Sequence, residues 1–256
     1  MLRLTAFTWL ILTACSTCGA EEPATPKEKA VRTVVQAVAQ QAVELQKLPL
    51  KERPSGDALT EAYIRTAATA ANKLDKSVRV AGFVIGLGIA LDDSNTLSGN
   101  PLTKKLCASA ENADERKARI KNLGSPTVHA RRDLCQHFAV SAALTEIVGA
   151  DLAEFVGVAK EQADKLGGSG FSFADLCVDL AGIEFAKRIQ KEPAVLEKLA
   201  KDYKVVDWVP GIEGLREGLK EAAFQKDFGG ATDKRYQDQL SELRKRVAAV
   251  KGAKGS

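Results

Sequence analysis

The stretch that decides the fold is "VRVAGFVIGLGIAL", Val78 to Leu91, which is apolar on nearly every side. A helix without a polar face is expected to be buried all round, so this segment is predicted to be the central helix. It is too short to span a membrane. Gly82 and Gly86 predict a groove in which the backbone of another helix approaches closely. A buried β-strand is the alternative, because a short apolar run has no periodicity that separates the two.

Amphipathic, alanine-rich segments separated by Pro and Gly continue on both sides of this central segment. They predict an all-α protein with a single compact helical domain of about ten helices in residues 27–250. The predicted helices span residues 26–48, 57–76, 78–91, 112–123, 131–148, 151–166, 173–190, 193–203, 212–226 and 233–250. Only "YKVVDWV", residues 203–209, has the composition of a strand.

The composition excludes several classes of protein. A hydrophobic content of 45% with 27% charged residues is typical of a folded globular chain rather than a disordered or collagen-like one. The net charge of +4 is small and scattered, and no basic stripe alternates with aromatic residues, so no nucleic-acid partner is expected. The basic residues 251–256 are predicted to form a disordered tail.

The N-terminus has the layout of a secretory signal: one early cation, an apolar run and then small residues. Within it, "LTAC" at residues 12–15 resembles the bacterial lipobox. Cys15 is therefore the predicted lipidation site, with residues 1–20 as signal region and 21–26 as a tether. The chain is then exported and lipid-anchored in the cell envelope, facing the periplasm. Cleavage after Ala20, giving a soluble periplasmic or secreted protein, is the alternative.

Export would permit disulfides, but the cysteine count leaves their pairing open. If Cys15 carries the lipid, four cysteines remain and three pairings are available. If the chain is cut after Ala20, only Cys107, Cys135 and Cys177 remain, and one must be free. A structural zinc site is not expected, because no second C-x-x-C pair accompanies the one in the signal region.

A second informative stretch is "RRDLCQHFAVSAALTEIVG", residues 131–149. On a helical wheel, His137 and Ser141 fall in the middle of the apolar side, and Asp133 lies at its edge one turn earlier. These three side chains predict a polar stripe along a buried face. For a lone histidine the simplest interpretation is structural, because a buried polar group must be hydrogen-bonded whatever its function.

The predicted helix 173–190 adds two carboxylates, Asp175 and Asp179, near the centre of its apolar side. Asp175 has a local explanation, since Ser172 and Asp175 together form a capping box. Asp179 has no such explanation. A buried unpaired carboxylate is costly, so Asp179 predicts a cation, a hydrogen-bond donor or a metal nearby, and His137 is the candidate partner.

Between these two helices lies "EFVGVAKEQADKLGGSGFS", in which Glu161 and Asp164 share the side of Gly157. Taken alone, this side is predicted to be a solvated face. Gly157 argues against that prediction, because a glycine within a helix is unfavourable by about 1 kcal/mol relative to alanine unless something packs there.

The residues of this region resemble the YfiM-like family of predicted bacterial envelope lipoproteins. The resemblance covers residues 133–182, about a fifth of the chain. It rests on three motifs, "D-x-x-Q-H-F-x-x-S-A-x-L", "G-x-x-K-E-x-x-D" and "G-S-G" followed by "x-D-L-x-x-D-x-A-G". The matching residues are Asp133, Gln136, His137, Phe138, Ser141, Ala142, Leu144, Gly157, Lys160, Glu161, Asp164, Gly168 to Phe173, Asp175, Leu176, Asp179, Ala181 and Gly182.

Phe171 and Phe173 stand where the family commonly has tryptophan, and the helices outside residues 133–182 are additions to the family pattern. The resemblance implies an envelope location and lipidation, and it strengthens Glu161 and Asp164 as site candidates. It implies no reaction.

Two hypotheses for function follow from these residues. The first is an envelope lipoprotein of unknown activity, whose polar cluster is structural and fixes the packing of the helices. The second is a metal-dependent periplasmic hydrolase acting on an envelope ester or phosphoester with Zn²⁺, Mn²⁺ or Mg²⁺. Its predicted ligands are His137, Asp175 and Asp179.

In the hydrolase hypothesis, Glu161 or Asp164 serves as a further ligand or as general base, and Lys160 stabilises an anionic transition state. A triad of Ser141, His137 and Asp133 is less favoured, because all three lie on one helix and no nucleophile elbow is present.

Overall fold

The computed structural model describes residues 24–252, and within them the chain forms twelve α-helices and no β-strand, which confirms the all-α prediction. The helices are α1 (Pro26–Lys47), α2 (Asp57–Ala71), α3 (Arg79–Leu91), α4 (Lys104–Ala110), α5 (Ala113–Asn122), α6 (Arg132–Val148), α7 (Ala150–Gly167), α8 (Phe173–Lys191), α9 (Val195–Lys201), α10 (Val205–Trp208), α11 (Glu221–Phe228) and α12 (Lys234–Ala249). The predicted signal region and Cys15 lie outside the described residues, as do residues 253–256.

Helix α3 is the centre of the fold, as its uniformly apolar sequence predicts. Every residue from Gly82 to Leu91 is buried, and α3 packs against α1, α2, α6 and α8. A Cβ atom added at Gly86 would lie 2.7 Å from the Cβ atom of Val34 in α1, so α1 occupies the predicted groove. None of the helices between residues 24 and 252 combines the length and the apolar character needed to cross a membrane.

A buried ion pair closes the C-terminal end of α3. The Arg119 guanidinium of α5 is paired with Glu111 through Nε–Oε2 at 2.8 Å and Nη2–Oε1 at 2.6 Å. The same guanidinium donates to the carbonyl oxygens of Ala90 at 2.8 Å and Asp92 at 3.3 Å, which a helix end leaves without partners. Arg119 therefore fixes where the chain leaves α3 and enters the loop at residues 92–103.

Helices α6 and α8 pack against each other and against α3, and α7 covers one side of the pair. The turn between α7 and α8 is held to α11 and α12 by a cluster of aromatic rings whose centroids lie 4.7 to 6.2 Å apart. Its members are Phe171, Phe173, Phe224, Phe228 and Tyr236. This cluster anchors the start of α8, which carries two of the predicted site carboxylates.

The strand prediction for residues 203–209 is wrong, because Val205–Trp208 forms the short helix α10. Tyr203, Trp208 and Val209 are buried, and the Trp208 ring packs edge-on against Phe185 with centroids 5.0 Å apart. No strand lies beside this segment among residues 24–252, so tertiary packing rather than β-propensity determines its conformation.

The structure also contains one helix that was not predicted and one helix that begins later than predicted. Helix α4 was not predicted, and the helix predicted at residues 212–226 begins only at Glu221. The preceding backbone pairs with the turn before α8: the Phe171 N–H donates to the Leu219 carbonyl at 2.9 Å, and the Leu219 N–H donates back at 3.0 Å. These bonds use backbone groups that a helix would need for itself.

Candidate functional site

The predicted polar side chains of α6 and α8 meet in the structure. His137 of α6 lies between two carboxylates of α8: its Nδ1 is 3.0 Å from Asp179 Oδ1, and its Nε2 is 3.5 Å from Asp175 Oδ2. The Ser141 hydroxyl donates to the same Asp179 oxygen at 2.7 Å. Asp179 thus acquires the two partners that its burial requires.

The carboxylates change the acid–base behaviour of His137. Burial by itself lowers the pKa of the imidazole, but Asp179 and then Asp175 oppose this effect and raise the pKa to about 9. In the absence of a bound metal ion the ring is therefore protonated at neutral pH, although the Lys160 ammonium acts in the opposite direction. When it is neutral, a hydrogen on Nδ1 satisfies Asp179 and leaves the Nε2 lone pair facing Asp175.

Glu161 comes from α7 and is completely buried, so the predicted solvated face is wrong at this residue. Its Oε2 accepts the backbone N–H of Ser172 at 2.9 Å, and its Oε1 accepts from Lys160 Nζ at 3.0 Å. Burial raises the pKa of the Glu161 carboxyl, although Lys160 partly offsets the effect. Helix α7 turns this carboxylate inward, towards the start of α8.

Gly157 allows α7 to approach α8 at the level of the cluster. A Cβ atom at this position would lie 3.0 Å from Asp179 Oδ2, closer than ordinary van der Waals contact. The glycine within the helix is therefore explained by the carboxylate that packs against it. The sequence predicted that some group packs against Gly157, and in the structure this group is the Asp179 carboxylate.

Lys160 and Asp164 form the outer edge of the cluster. The Lys160 ammonium bridges Glu161 and Asp164, with its Nζ atom 2.9 Å from Asp164 Oδ2. Burial lowers the pKa of this lysine, but its two carboxylate partners raise it well above its usual range, so the group stays charged. Its side chain is half exposed, which leaves the ammonium accessible from solvent.

Asp133 pairs with Arg131 rather than with His137. Its carboxylate is half exposed and pairs with Arg131, whose Nη2 atom is also 3.1 Å from Asp175 Oδ1. Arg131 is further paired with Glu217 at 2.5 Å. Arg131 and Glu217 were not among the predicted site residues, because their pairing joins segments far apart in the sequence. Arg131 neutralises the side of Asp175 that faces away from His137.

The turn that leads to Arg131 and α6 contains two residues with strained backbone angles. His129 and Ala130 have φ angles of 51° and 60°, in the left-handed region that residues with a Cβ atom rarely adopt. Asp57 at the start of α2 holds both residues, because its carboxylate accepts their backbone N–H groups at 3.1 and 3.0 Å. His129 itself contacts the Pro210 carbonyl and takes no part in the cluster.

A cleft of about 170 Å³ opens beside the cluster, between α6, α7 and the loop that follows α3. Its lining combines the polar cluster with apolar side chains. The lining residues are Ser94, Thr96, Asp133, Gln136, His137, Val140, Ser141, Leu144, Val156, Gly157, Lys160 and Asp179. The cleft gives a small molecule or an ion a route from solvent to His137.

His137, Glu161 and Asp175 each offer one ligand atom, and these three atoms lie within 4.8 Å of one another. One imidazole with two carboxylates suits Zn²⁺ or Mn²⁺. The set differs from the predicted ligands, because Glu161 takes the place of Asp179. Asp179 lies on the opposite ring nitrogen of His137, where a carboxylate orients a metal-binding imidazole.

The three cysteines within the described residues, Cys107, Cys135 and Cys177, are buried free thiols. Burial raises their pKa values to about 11, 12 and 12 respectively, so they stay protonated and play no part in the site.

No protein-family model, curated protein or solved structure matches this chain. The resemblance of residues 133–182 to the YfiM-like family stays a prediction that rests on the three motifs. The site is therefore assigned from its own geometry: a histidine and two carboxylates converge at a cleft, with a lysine at the edge.

Proposed function

We propose that this protein is an exported, lipid-anchored envelope protein whose His137 centre binds a divalent cation and hydrolyses an ester or phosphoester. The observation that carries the proposal is the convergence of ligand atoms from His137, Glu161 and Asp175 within 4.8 Å. The envelope location rests on the N-terminal sequence, with Cys15 at the end of its apolar run.

The charges around the centre favour a cation. Asp175, Asp179 and Glu161 are all buried, and the imidazole lies between the first two of them. Asp179 accepts a hydrogen bond from Nδ1, which leaves Nε2 to bind a metal in place of its proton. A divalent ion held by His137, Glu161 and Asp175 would lower the pKa of bound water towards about 7 and would so supply a nucleophile at neutral pH.

The remaining residues have roles at the cleft. The Lys160 ammonium lines it and can stabilise negative charge on a substrate oxygen. Asp164 holds that ammonium and is the remaining candidate for general base, because Glu161 is assigned as a ligand. Arg131 fixes one oxygen of Asp175 and leaves the other towards His137.

A structural network is the second candidate, and a specific observation favours it. Both ring nitrogens of His137 already face carboxylate oxygens, so a protonated imidazole satisfies the network without a metal. In that case the cluster would link α6 to α8 and have no chemical role.

The deciding experiment is metal analysis of the purified full chain in detergent. We expect close to one equivalent of Zn²⁺ or Mn²⁺ and a lower melting temperature after chelation, since a ligand bound only by the folded state stabilises that state. His137→Gln and Glu161→Gln should each abolish both effects. Asp133→Asn is the matched control, because this half-exposed carboxylate pairs with Arg131 outside the ligand set.

A metal-free chain that is indifferent to chelator and to added Zn²⁺, Mn²⁺ and Mg²⁺ would contradict the hydrolase proposal. The structural candidate then makes its own prediction. His137→Ala and Asp179→Ala should each cost about 3–5 kcal/mol, because each strands a buried charge. The double substitution should cost less than the sum of the two, which a double-mutant cycle in urea measures.

A further inference from the structure

Helix α7 is amphipathic in the reverse of the usual sense. Its buried side carries small and charged residues: Ala153, Gly157, Glu161 and Lys165. Its outer side carries large apolar residues, with exposed fractions of 44% for Leu152, 66% for Phe155, 38% for Val156 and 74% for Leu166. A surface helix normally presents its polar side to water, so this orientation requires an explanation.

The exposed apolar side chains form one continuous stripe. Leu152, Phe155, Val156 and Leu166 stand at positions i, i+3, i+4 and i+14 of one helix, and the exposed Ala159 and Ala163 fall between them. At a rise of 1.5 Å per residue the stripe is about 21 Å long. Contiguous apolar surface of this kind marks an interaction site, whereas single exposed side chains do not.

Other exposed apolar residues of the described chain provide the comparison. Leu50, Leu102 and Val206 are at least as exposed as Phe155, but they lie far apart in the sequence, on separate elements. Leu50 lies in a three-residue 3₁₀ turn, Leu102 in a turn before α4 and Val206 in the four-residue α10, so none of them belongs to the face of a long helix. The stripe of α7 is different because one helix face contributes all of its members.

The stripe lies beside the candidate site, because Val156 belongs to both. Together with Gly157 and Lys160, it lines the cleft that leads to His137. A cleft of about 170 Å³ has room for about six groups of the size of water, at about 30 Å³ each. The cleft therefore accommodates the headgroup of a lipid but not its acyl chains. The acyl chains of such a lipid would extend out of the cleft past Val156 and along the stripe.

We infer that the outer face of α7 lies on a lipid bilayer, and that the cleft takes the anionic headgroup of a membrane lipid. The Lys160 ammonium at the edge of the cleft is half exposed and uses two of its three N–H donors on Glu161 and Asp164, so the third donates a hydrogen bond to that headgroup. That the lipid is also the substrate rests on the proposed hydrolase activity, and the choice of a bilayer as the occupant rests on the proposed lipid anchor at Cys15.

A bilayer is the occupant that the rest of the chain favours over another protein or a second copy. Nine peptide units connect Cys15 to Ala24, where the described structure begins. Fully extended, they reach about 30 Å. A body of this size has a radius of gyration of about 17 Å, so a lipid on Cys15 leaves the body free to turn its α7 face towards the same membrane.

The test places a tryptophan on the stripe. The full chain carrying Phe155→Trp is mixed with vesicles of phosphatidylglycerol and phosphatidylcholine whose acyl chains are brominated, since bromine quenches tryptophan on contact. Val206→Trp on α10 is the matched control, because Val206 is 68% exposed and Phe155 is 66% exposed. Emission of the parent chain is subtracted to remove its own tryptophans.

We expect quenching at least twofold stronger for Phe155→Trp than for Val206→Trp. Equal quenching at the two positions would overturn the inference. A second copy would be the occupant instead if Phe155→Trp is shielded without vesicles and the chain is a dimer that Phe155→Ser dissociates. The combined Leu152→Ser and Phe155→Ser variant should keep its melting temperature and metal content but lose bilayer contact, since both side chains are exposed.

The headgroup site is tested separately with dihexanoyl-phosphatidylglycerol below its micelle concentration, with the emission of Phe155→Trp as the signal. Adding Lys160→Gln should weaken binding about tenfold, the usual value of a charge-assisted hydrogen bond. Unchanged affinity would refute the headgroup assignment. A chain that holds metal but lacks bilayer contact would refute this inference and leave the proposed function standing, and the reverse result would refute lipid hydrolysis alone.

Discussion

Replacing Arg119 by methionine is predicted to be one of the most destabilising single substitutions in this protein. The Arg119 side chain is 1% exposed and that of Glu111 is 5% exposed, so neither charge has access to water. Methionine has a similar length and stays apolar. The substitution removes the charge but fills most of the space, and its effect therefore reports electrostatics rather than a cavity.

The magnitude follows from what the substitution strands. Removing one partner of a buried ion pair costs about 3–5 kcal/mol, because the other charge stays buried and uncompensated. The carbonyl oxygens of Ala90 and Asp92 also lose donors, at about 1 kcal/mol each. A total loss of about 5–7 kcal/mol corresponds to a fall in melting temperature of about 10–28 °C for a chain of this size.

Urea unfolding followed by circular dichroism measures this loss. Arg116→Met is the matched control: Arg116 is 25% exposed and stands 4.0 Å from Glu111, so its removal should cost about 1 kcal/mol. Adding Glu111→Leu to Arg119→Met should recover part of the loss, because no charge is then stranded. The reasoning fails if the free energy of unfolding of Arg119→Met lies within about 1 kcal/mol of that of the parent chain. It also fails if adding Glu111→Leu restores none of the lost stability.

Three other outcomes are expected. The pKa of His137 is raised from 6.5 to about 9, so its stabilisation is complete below pH 6.5 and is lost as the pH rises through 9. Urea unfolding of the chelator-treated chain should show that the free energy of unfolding falls by on the order of 3 kcal/mol as the pH rises through this range, and His137→Gln should remove this pH dependence. Gly157→Ala should weaken metal binding about tenfold by displacing the carboxylate that orients the imidazole. Gly167→Ala, whose added Cβ atom meets nothing within 4 Å, should bind metal normally, and equal affinities would contradict this account. Cys15→Ala should move the protein from the membrane fraction to the soluble fraction or leave an unprocessed precursor, whereas Cys18→Ala should not; normal processing with both proteins soluble would exclude the lipobox.

Much of the fold could be predicted because its determinants are local. A segment that is apolar all round has no face to present to water, so the burial of α3 follows from its sequence alone. His137 and Asp179 lie on the apolar sides of α6 and α8, and an apolar side faces the core. Two polar groups that face one core satisfy each other, which is why their contact could be expected from the sequence.

The orientation of α7 was decided only by the tertiary structure. Its apolar side would by itself be expected to face inward, but Glu161 finds the Ser172 N–H, Lys165 pairs with Glu221 at 2.9 Å, and Gly157 admits Asp179. These partners lie on other elements, so no local pattern reports them. The Arg119 and Glu111 pair and the helix at residues 205–208 escaped prediction for the same reason. Sequence determines which faces are apolar, whereas the energy of a buried polar group depends on partners that only the assembled helices bring within reach.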